Sequence, residues 1–346
     1  MPLISVCIPV FSTEPFLAQC LWSVMQQDFE DFEIVVVSDA STGRDEKNRT
    51  AKKIVKDCQK QGNIWRREQG LPPVKINFVV HKENRGLIEV RRSLMYEARG
   101  YYMSQVDSDD QMAPGALSSL FKASGCNPQN IQENPGIDIV HGTSTAGVFD
   151  QQGNFTPSKN NRYGKIFYGK IEGHQVFHKW LIDNEFTANT WGKLIKRELW
   201  QKAYEKIPYT ECNMADDVLL FFFLSQEAKS YLGIEDKVYL YRVNSGMSST
   251  RKIDTLQKWK MICSTSSVFS VLSTWISENP DKLQTDEVDN IRKRTTFYLV
   301  NNLKQMNEVV IPELKDQAHQ MLCDYWGESF VTRIEKALKK EADKQN

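Results

Sequence analysis

The chain of 346 residues lacks long apolar runs, paired cysteines and any surplus of charge. Its longest uninterrupted apolar stretch, Val218 to Leu224, is seven residues, whereas a membrane span needs about 20. No transmembrane segment is expected. A basic n-region is also missing, and Ile4 to Phe11, which contains Ser5 and Pro9, reads as a buried strand instead of a signal peptide. The 7 cysteines are scattered without one C-x-x-C pair, so neither a disulfide framework nor a zinc site is suggested. His174 and His178 lie four apart, but no H-E-x-x-H acid stands between them. With 44 Lys+Arg against 44 Asp+Glu there is no global field for collecting nucleic acid or anionic lipid. Any charged ligand must be held locally. Nor does a G-x-G-x-x-G follow the first strand or a G-x-x-x-x-G-K-[ST] occur anywhere, which removes the main support for a dehydrogenase or a P-loop enzyme.

What is present is a globular composition, 40% hydrophobic and 25% charged, in a length that suits two domains of roughly 100–200 residues. Ile4 to Val10 and Glu33 to Val37 are short β-branched runs flanked by turn residues, the pattern of strands buried on both faces. Between them, Phe16, Leu17, Cys20, Leu21, Val24 and Met25 recur at helical spacing within Pro15 to Gln26, after the cap-forming Ser12, Thr13 and Glu14. The alternation continues with a charged helix from Asp45 to Lys60, strand Val74 to Val80, helix Leu87 to Ala98 and strand Tyr101 to Val106. The expected fold class is α/β, with an open and mostly parallel sheet. Beyond residue 110 the pattern is mixed, with strands at Ile137 to His141 and Lys237 to Arg242, a segment Asn189 to Ile195, and helices at His174 to Ile182 and Asp216 to Ala228. From Thr255 onward it is helical, Leu256, Trp259, Ile262, Phe269, Leu272 and Ile276 repeating at helical spacing. A boundary is expected near 250, with a helical C-terminal domain over 251–346.

In an open α/β sheet, ligands bind outside the carboxyl ends of the strands. Asp107, Asp109 and Asp110 follow the fourth strand. Two such charges 4 Å apart repel by about 1 kcal/mol in water and about 4 kcal/mol at an effective dielectric of 20, so a divalent cation is the natural compensation. Hard oxygen ligands with open positions suit Mg²⁺ or Mn²⁺ holding phosphate oxygens. An isolated D-x-D-D is more often a solvated turn, and its place after a strand of this sheet favours the metal. The second acidic pair, Asp216-Asp217, heads a helix. Adjacent residues there point about 100° apart, so one can face a cleft as general base while the other caps. Two helix-start acids favoured by the macrodipole are the commoner use.

Taken in order, these segments resemble the family 2 glycosyltransferases over residues 3 to 250. That family begins S-V-I-I-P-x-Y-N, here Ser5-Val6-Cys7-Ile8-Pro9-Val10-Phe11-Ser12, and continues L-x-x-x-L-x-S-x-x-x-Q, here Leu17 to Leu21, Ser23 and Gln27. Its E-I-I-V-V-D-D-G-S is here Glu33-Ile34-Val35-Val36-Val37-Ser38-Asp39-Ala40-Ser41, with Ser38 for the first Asp and Ala40 for the glycine. Asn84, Gly86 and Arg91 are similar to N-x-G-x-x-x-x-R, and Asp107-Ser108-Asp109-Asp110 to the D-x-D-D metal loop. Trp191-Gly192-Lys193-Leu194 is similar to W-N-K-L and Ala215-Asp216-Asp217 to G-E-D, while Tyr241-Arg242 with Ser245, Ser248 and Ser249 is similar to Y-x-Y-R-x-x-x-x-S-x-S.

The resemblance implies a GT-A fold, a Rossmann-like nucleotide-sugar-binding sheet with a nucleotide-binding half over 1–110 and an acceptor half over 111–250. It implies donor contacts from Pro9, Phe11, Glu14, Asp39, Arg91, Asp107, Ser108, Asp109 and Arg242, with Asp39 on the uracil ring and Arg242 near the diphosphate. Asp107, Asp109 and Asp110 would hold Mn²⁺ or Mg²⁺, and Asp217 would be the catalytic base. The implied activity is inverting transfer from a UDP-sugar to a hydroxyl of a glycan or lipid-linked glycan acceptor, in bacterial cell-surface polysaccharide synthesis. The alternative is a catalytically silent nucleotide-sugar or glycan-binding protein of the same fold. The expected location is the cytoplasm or the inner face of the cell membrane, without nucleic acid. A peripheral membrane contact and a homodimer through the C-terminal helices stay open. Residues 44–75 hold ten Lys/Arg against four Asp/Glu, a local +6 that reads first as a solvated helix face and second as a contact for anionic lipid or acceptor.

Overall fold

The computed structural model describes residues 1–150, 153–159, 164–243 and 252–345. Strand β1 (Ile4–Val10) is buried at every position, as an apolar run covered on both faces must be. It is followed by α1 (Glu14–Met25), β2 (Phe32–Ser38), α2 (Ala51–Glu68), β3 (Ile76–Val80), α3 (Leu87–Glu97) and β4 (Tyr102–Gln105). The β1–β2, β2–β3 and β1–β4 pairs are parallel, so the ends of β1, β2 and β4 open on one edge.

Residues 111–242, expected to form an acceptor half, add β5 (Gln111–Met112), α4 (Ala116–Ser124), β6 (Ile139–Phe149), β7 (Phe155–Pro157), β8 (Gly169–Glu172), α5 (Gln175–Leu181), β9 (Lys193–Lys196), α6 (Arg197–Lys206), α7 (Asp216–Glu227) and β10 (Ser230–Arg242). Among the described residues these form one sheet in the order β3-β2-β1-β4-β9-β6-β10-β5, with β7 on β6 and β8 on β10. Strand β9 is antiparallel to both β4 and β6. The sheet is therefore mixed where its two halves meet.

Contacts divide the chain into two units, 1–207 with 220–246 and 208–219 with 247–346. A single cut at 250 does not describe this. Segment 208–219 groups with the helices because the Asn213 amide donates to Ser264 Oγ (3.1 Å) and Glu211 pairs with Lys260 (2.7 Å). The helical unit contains α8 (Leu256–Cys263), α9 (Thr265–Glu278), α10 (Thr285–Val309), α11 (Lys315–Trp326) and α12 (Glu328–Gln345), with a 3₁₀ turn at Pro312–Leu314. Trp259, Leu299, Leu303 and Leu322 lie in its core. The Trp259 indole N–H is satisfied by the Ala318 carbonyl at 2.8 Å.

Two elements differ instructively from their sequence patterns. Helix α2 starts at Ala51 instead of Asp45, because Asp45 Oδ1 accepts from the Lys47 and Arg49 amides and builds a turn, leaving Thr50 to cap the helix. Strand β6 runs on from His141 to Phe149 because Thr143 to Gly147 pair with β10. Helices α4 and α6 were not anticipated.

Arg66, on the last turn of α2, is fully buried. Its guanidinium donates to the carbonyls of Met25 (3.1 Å), Gln27 (2.7 Å), Phe29 (3.0 Å) and Pro72 (2.7 Å). It ties the end of α1 to the approach to β2, a use of the planar five-donor fork that lysine cannot copy. Arg66→Ala would strand these carbonyls, each unpaired buried group costing about 1–3 kcal/mol. A loss of about 3–5 kcal/mol in urea denaturation is expected, with Arg66→Lys recovering less than half.

Candidate active site

The turns after β1 and β2 face one another. Ser12 (φ 56°) and Ala40 (φ 54°) both adopt the left-handed region, which costs an L-residue about 1–2 kcal/mol. They are cross-braced: the Asp39 amide donates to the Val10 carbonyl (2.9 Å) and the Ser12 amide to Ser41 Oγ (2.8 Å). Ser41 Oγ in turn donates to Glu14 Oε1 at 2.6 Å. Glu14 is fully buried and its Oε2 has no hydrogen-bond partner. A Cβ on residue 43 would sit 2.0 Å from that oxygen, so any residue but glycine there would displace the Glu14 carboxylate. Pro9 is buried within β1, and Phe11 is 43% exposed at its end.

Asp39 is 2% exposed and its carboxylate is saturated. Oδ1 meets His81 Nδ1 (2.7 Å) and the Arg85 amide (3.0 Å), while Oδ2 accepts from the amides of Arg85 (3.1 Å) and Gly86 (3.0 Å). Gly86 is the N-cap of α3 and has φ 85°. A carboxylate here complements the positive end of that helix. Asp39, expected to read a uracil ring, has its oxygens engaged by the loop between β3 and α3.

The D-S-D-D loop leaves β4 with its members in different environments. Asp107 and Asp109 are half-buried, while Ser108 and Asp110 are buried. Ser108 Oγ and Thr13 Oγ1 share a hydrogen bond of 2.6 Å. Tyr239 Oη accepts from the Asp107 amide (3.1 Å) and donates to Asp110 Oδ2 (2.8 Å); Asp110 Oδ1 accepts from the Arg242 amide (2.7 Å). Burial, then the charges of Asp109 and Asp107, push Asp110 well above the usual carboxylate range. Among the described residues no three His, Cys, Asp or Glu side chains converge as a metal cage. The oxygens of Asp110, expected among the metal ligands, are engaged by the Tyr239 hydroxyl and the Arg242 amide. Asp107 and Asp109 remain, hard carboxylates of the number with which Mg²⁺ is held when phosphate and water complete its shell.

Arg91 and Arg242 both turn out to be buried. Arg91 donates to Gln105 Oε1 and to Thr190 Oγ1 (3.1 Å), and lies 3.5 Å from Asp107 Oδ1. Arg242 stacks over Phe149 (4.2 Å) and Phe16 (4.7 Å), while its Nε donates to the Asp109 carbonyl (2.7 Å) and Nη2 to Gln19 Oε1 (2.6 Å). Each orients the acidic loop.

Sequence patterns missed Gln105, Thr190 and Tyr239 and gave Lys193 no role. Lys193 is fully buried and donates to the carbonyls of Thr187 (3.1 Å) and Asn189, bending the segment that presents Thr190 and Trp191. The Trp191 ring stacks on Tyr239 at 4.6 Å and 17°. The W-G-K-L string beside Thr190 was the available signal.

Asp216 and Asp217 head α7 and belong to the helical unit. Asp216 is buried and Asp217 half-buried, its Oδ1 accepting from the Val218 amide at 2.8 Å. Ala215 just before them has φ 61°. Within the same unit, burial and then Asp217 push the Tyr298 phenol up to about 12.

Comparison with known proteins defines the class. The glycosyl transferase family 2 model matches residues 5–131, the segment from β1 through the acidic loop to the end of α4. The chain is 24% identical to the uncharacterized glycosyltransferase EpsJ of Bacillus subtilis over 247 residues, 70% of this chain and 62% of EpsJ. It is 25% identical to the glycosyltransferase GlyG of Streptococcus pneumoniae over 262 residues, 73% of this chain and 74% of GlyG. A third relative, the GalNAc(5)-diNAcBac-PP-undecaprenol beta-1,3-glucosyltransferase of Campylobacter jejuni, is 24% identical over 60% of this chain and 61% of that enzyme. Among solved structures, S. aureus TarS 1-349 in complex with UDP-GlcNAc aligns over 98% of this chain and 92% of its own, with 17% identity and a TM-score of 0.49. Residues 5–131 thus match glycosyl transferase family 2, and the relatives that the chain resembles over a longer stretch are glycosyltransferases.

Asp39→Ala should lower stability by about 2–4 kcal/mol with no nucleotide present, because three backbone N–H contacts and His81 lose their acceptor. Denaturant melts of the free protein check this. An unchanged midpoint with weakened UDP binding would return Asp39 to the ring.

Proposed function

We propose that this protein transfers a sugar from a UDP-sugar to a hydroxyl of a glycan acceptor during bacterial surface polysaccharide synthesis, with inversion and with help from Mg²⁺ or Mn²⁺. The observation that carries the reading is the D-S-D-D loop at the end of β4. Its buried members are clamped by Thr13, Tyr239 and Arg242 while Asp107 and Asp109 stay partly open. The Campylobacter relative is named for glucosyl transfer onto an undecaprenol-linked glycan, which supports a glycan acceptor.

Asp107 and Asp109 are the residues that would hold the cation, which when bound offsets charge on the departing UDP. Arg91 keeps Asp107 aimed. Ser108 and Pro9 shape the floor, and Phe11 offers an exposed ring for the nucleoside. Asp217 takes the proton of the attacking hydroxyl. With the D-S-D-D acids assigned to the cation and to Tyr239, one base remains for one in-line attack, and one attack inverts.

A panel of nucleotide sugars read out by UDP release tests the activity and separates an enzyme from a silent binder. Asp109→Ala should abolish turnover and the Mn²⁺-dependent part of UDP binding by calorimetry. Undiminished turnover in EDTA would sink the cation.

Asp217→Asn keeps the shape but cannot accept the proton, so kcat should fall about 10²–10⁴-fold while UDP affinity holds. Proton NMR of the product made from an α-linked donor should show a β linkage. An α linkage would refute both the inversion and the role of Asp217.

A further inference from the structure

Helix α2 carries a feature that sugar transfer leaves unused. Its inner face, Ala51, Ile54, Val55, Cys58 and Gly62, is buried. Its outer face presents Lys52, Lys56, Lys60 and Ile64 four apart, flanked by Lys53 and Arg67, all exposed. Residues four apart lie on one side of a helix. From Lys52 to Arg67 the stripe is about 22 Å long at 1.5 Å per residue. Acids do little to neutralise it: Asp45 is held by Arg49 (2.7 Å), and Asp57 by Lys53 (2.8 Å) and Arg49 (3.3 Å), leaving Glu68 at the far end. The stripe stands out because the whole chain is neutral, 44 against 44.

We infer that this face of α2 is a docking surface for an anionic lipid bilayer. Charge complementarity alone would suit any polyanion. The apolar side chains select the bilayer: Ile64 is 46% exposed within the stripe, and the half-buried Trp65 beside it touches Trp22 edge-on at 6.3 Å. A cationic row with an exposed aliphatic group and a tryptophan at its border is the composition of a helix lying in the headgroup region. The stripe begins just beyond Thr50, at the end of the sheet where Ser41 and Glu14 meet. The inference stands independently of the donor and of the reaction.

The test is flotation of the full chain with vesicles of phosphatidylcholine alone and of phosphatidylcholine with phosphatidylglycerol, at low and high salt. Binding is expected only with the anionic lipid and should weaken as salt rises. Each lysine near such a surface contributes about 1 kcal/mol, so the combined K52Q, K56Q and K60Q variant should lose about 10²-fold in partitioning, with its melting temperature kept. Ile64→Ser should weaken binding at a given lipid charge. Equal binding to both vesicle types, no binding to either, or a triple variant that binds as the parent does would overturn the inference. So would retention by soluble heparin without any vesicle binding, which would make the stripe a polyanion site.

Discussion

One buried hydroxyl joins the two halves of the catalytic sheet. Tyr239 stands on β10, with β6 and β9 between it and β4, yet its Oη holds both the Asp107 amide and the Asp110 carboxylate. Trp191, in the segment leading into β9, fills the gap by stacking on the tyrosine ring. The acidic loop is thus braced by the second half of the sheet. An oxygen that is buried must be paired, and this pairing fixes which carboxylates turn inward. Asp110 is consumed so that Asp107 and Asp109 can be presented.

Three left-handed residues carry the same economy into the backbone. Ser12, Ala40 and Ala215 have φ of 56°, 54° and 61°, and each falls where the family pattern places Asn, Gly and Gly. The conformation has been kept although the residue that adopts it easily has not. Such strain persists only where the surroundings over-determine it. At Ser12 and Ala40 the cross-braces through Val10, Asp39 and Ser41 do so. These three turns lie at the ends of β1 and β2 and at the start of α7.

The first half of the fold was legible because β1, β2 and β4 are buried on both faces and its helices on one. Ile4–Val10 stands where the apolar run stands, and β2, β3, α3 and β4 begin and end within two residues of their patterns. The second half was less so. Polar Thr143, Ser144 and Thr145 lie past the expected strand Ile137 to His141 but belong to β6, since pairing with β10 decides their state. At the site, residue types were legible and their employment was not. Asp39 and Arg242 bear the right chemistry for a ligand, but the first binds backbone amides and the second is closed between Phe16 and Phe149. Burial depends on neighbours distant in sequence, which no local spacing records. Lys193 was hidden by the opposite error, because lysine is almost never fully buried unless paired, and here backbone carbonyls do the pairing.

The way charge is distributed follows from these placements. Arg66, Arg91, Lys193 and Arg242 are all enclosed, and each is met by carbonyl, amide, hydroxyl or carboxylate oxygens of its own fold. Withdrawn from the surface, they leave the outward cations to be supplied by other segments, and α2 supplies a dense row of them. The neutrality of the whole chain therefore conceals two separate devices, an enclosed set of cations that ties segments of the fold together, Arg91 and Arg242 at the acidic loop among them, and an exposed set that faces solvent. Electrostatic attraction toward any anionic partner is then local and directional, as it must be for a molecule without a net field. A single fold can in this way keep two carboxylates partly exposed at one edge of the sheet while offering positive charge along a neighbouring helix.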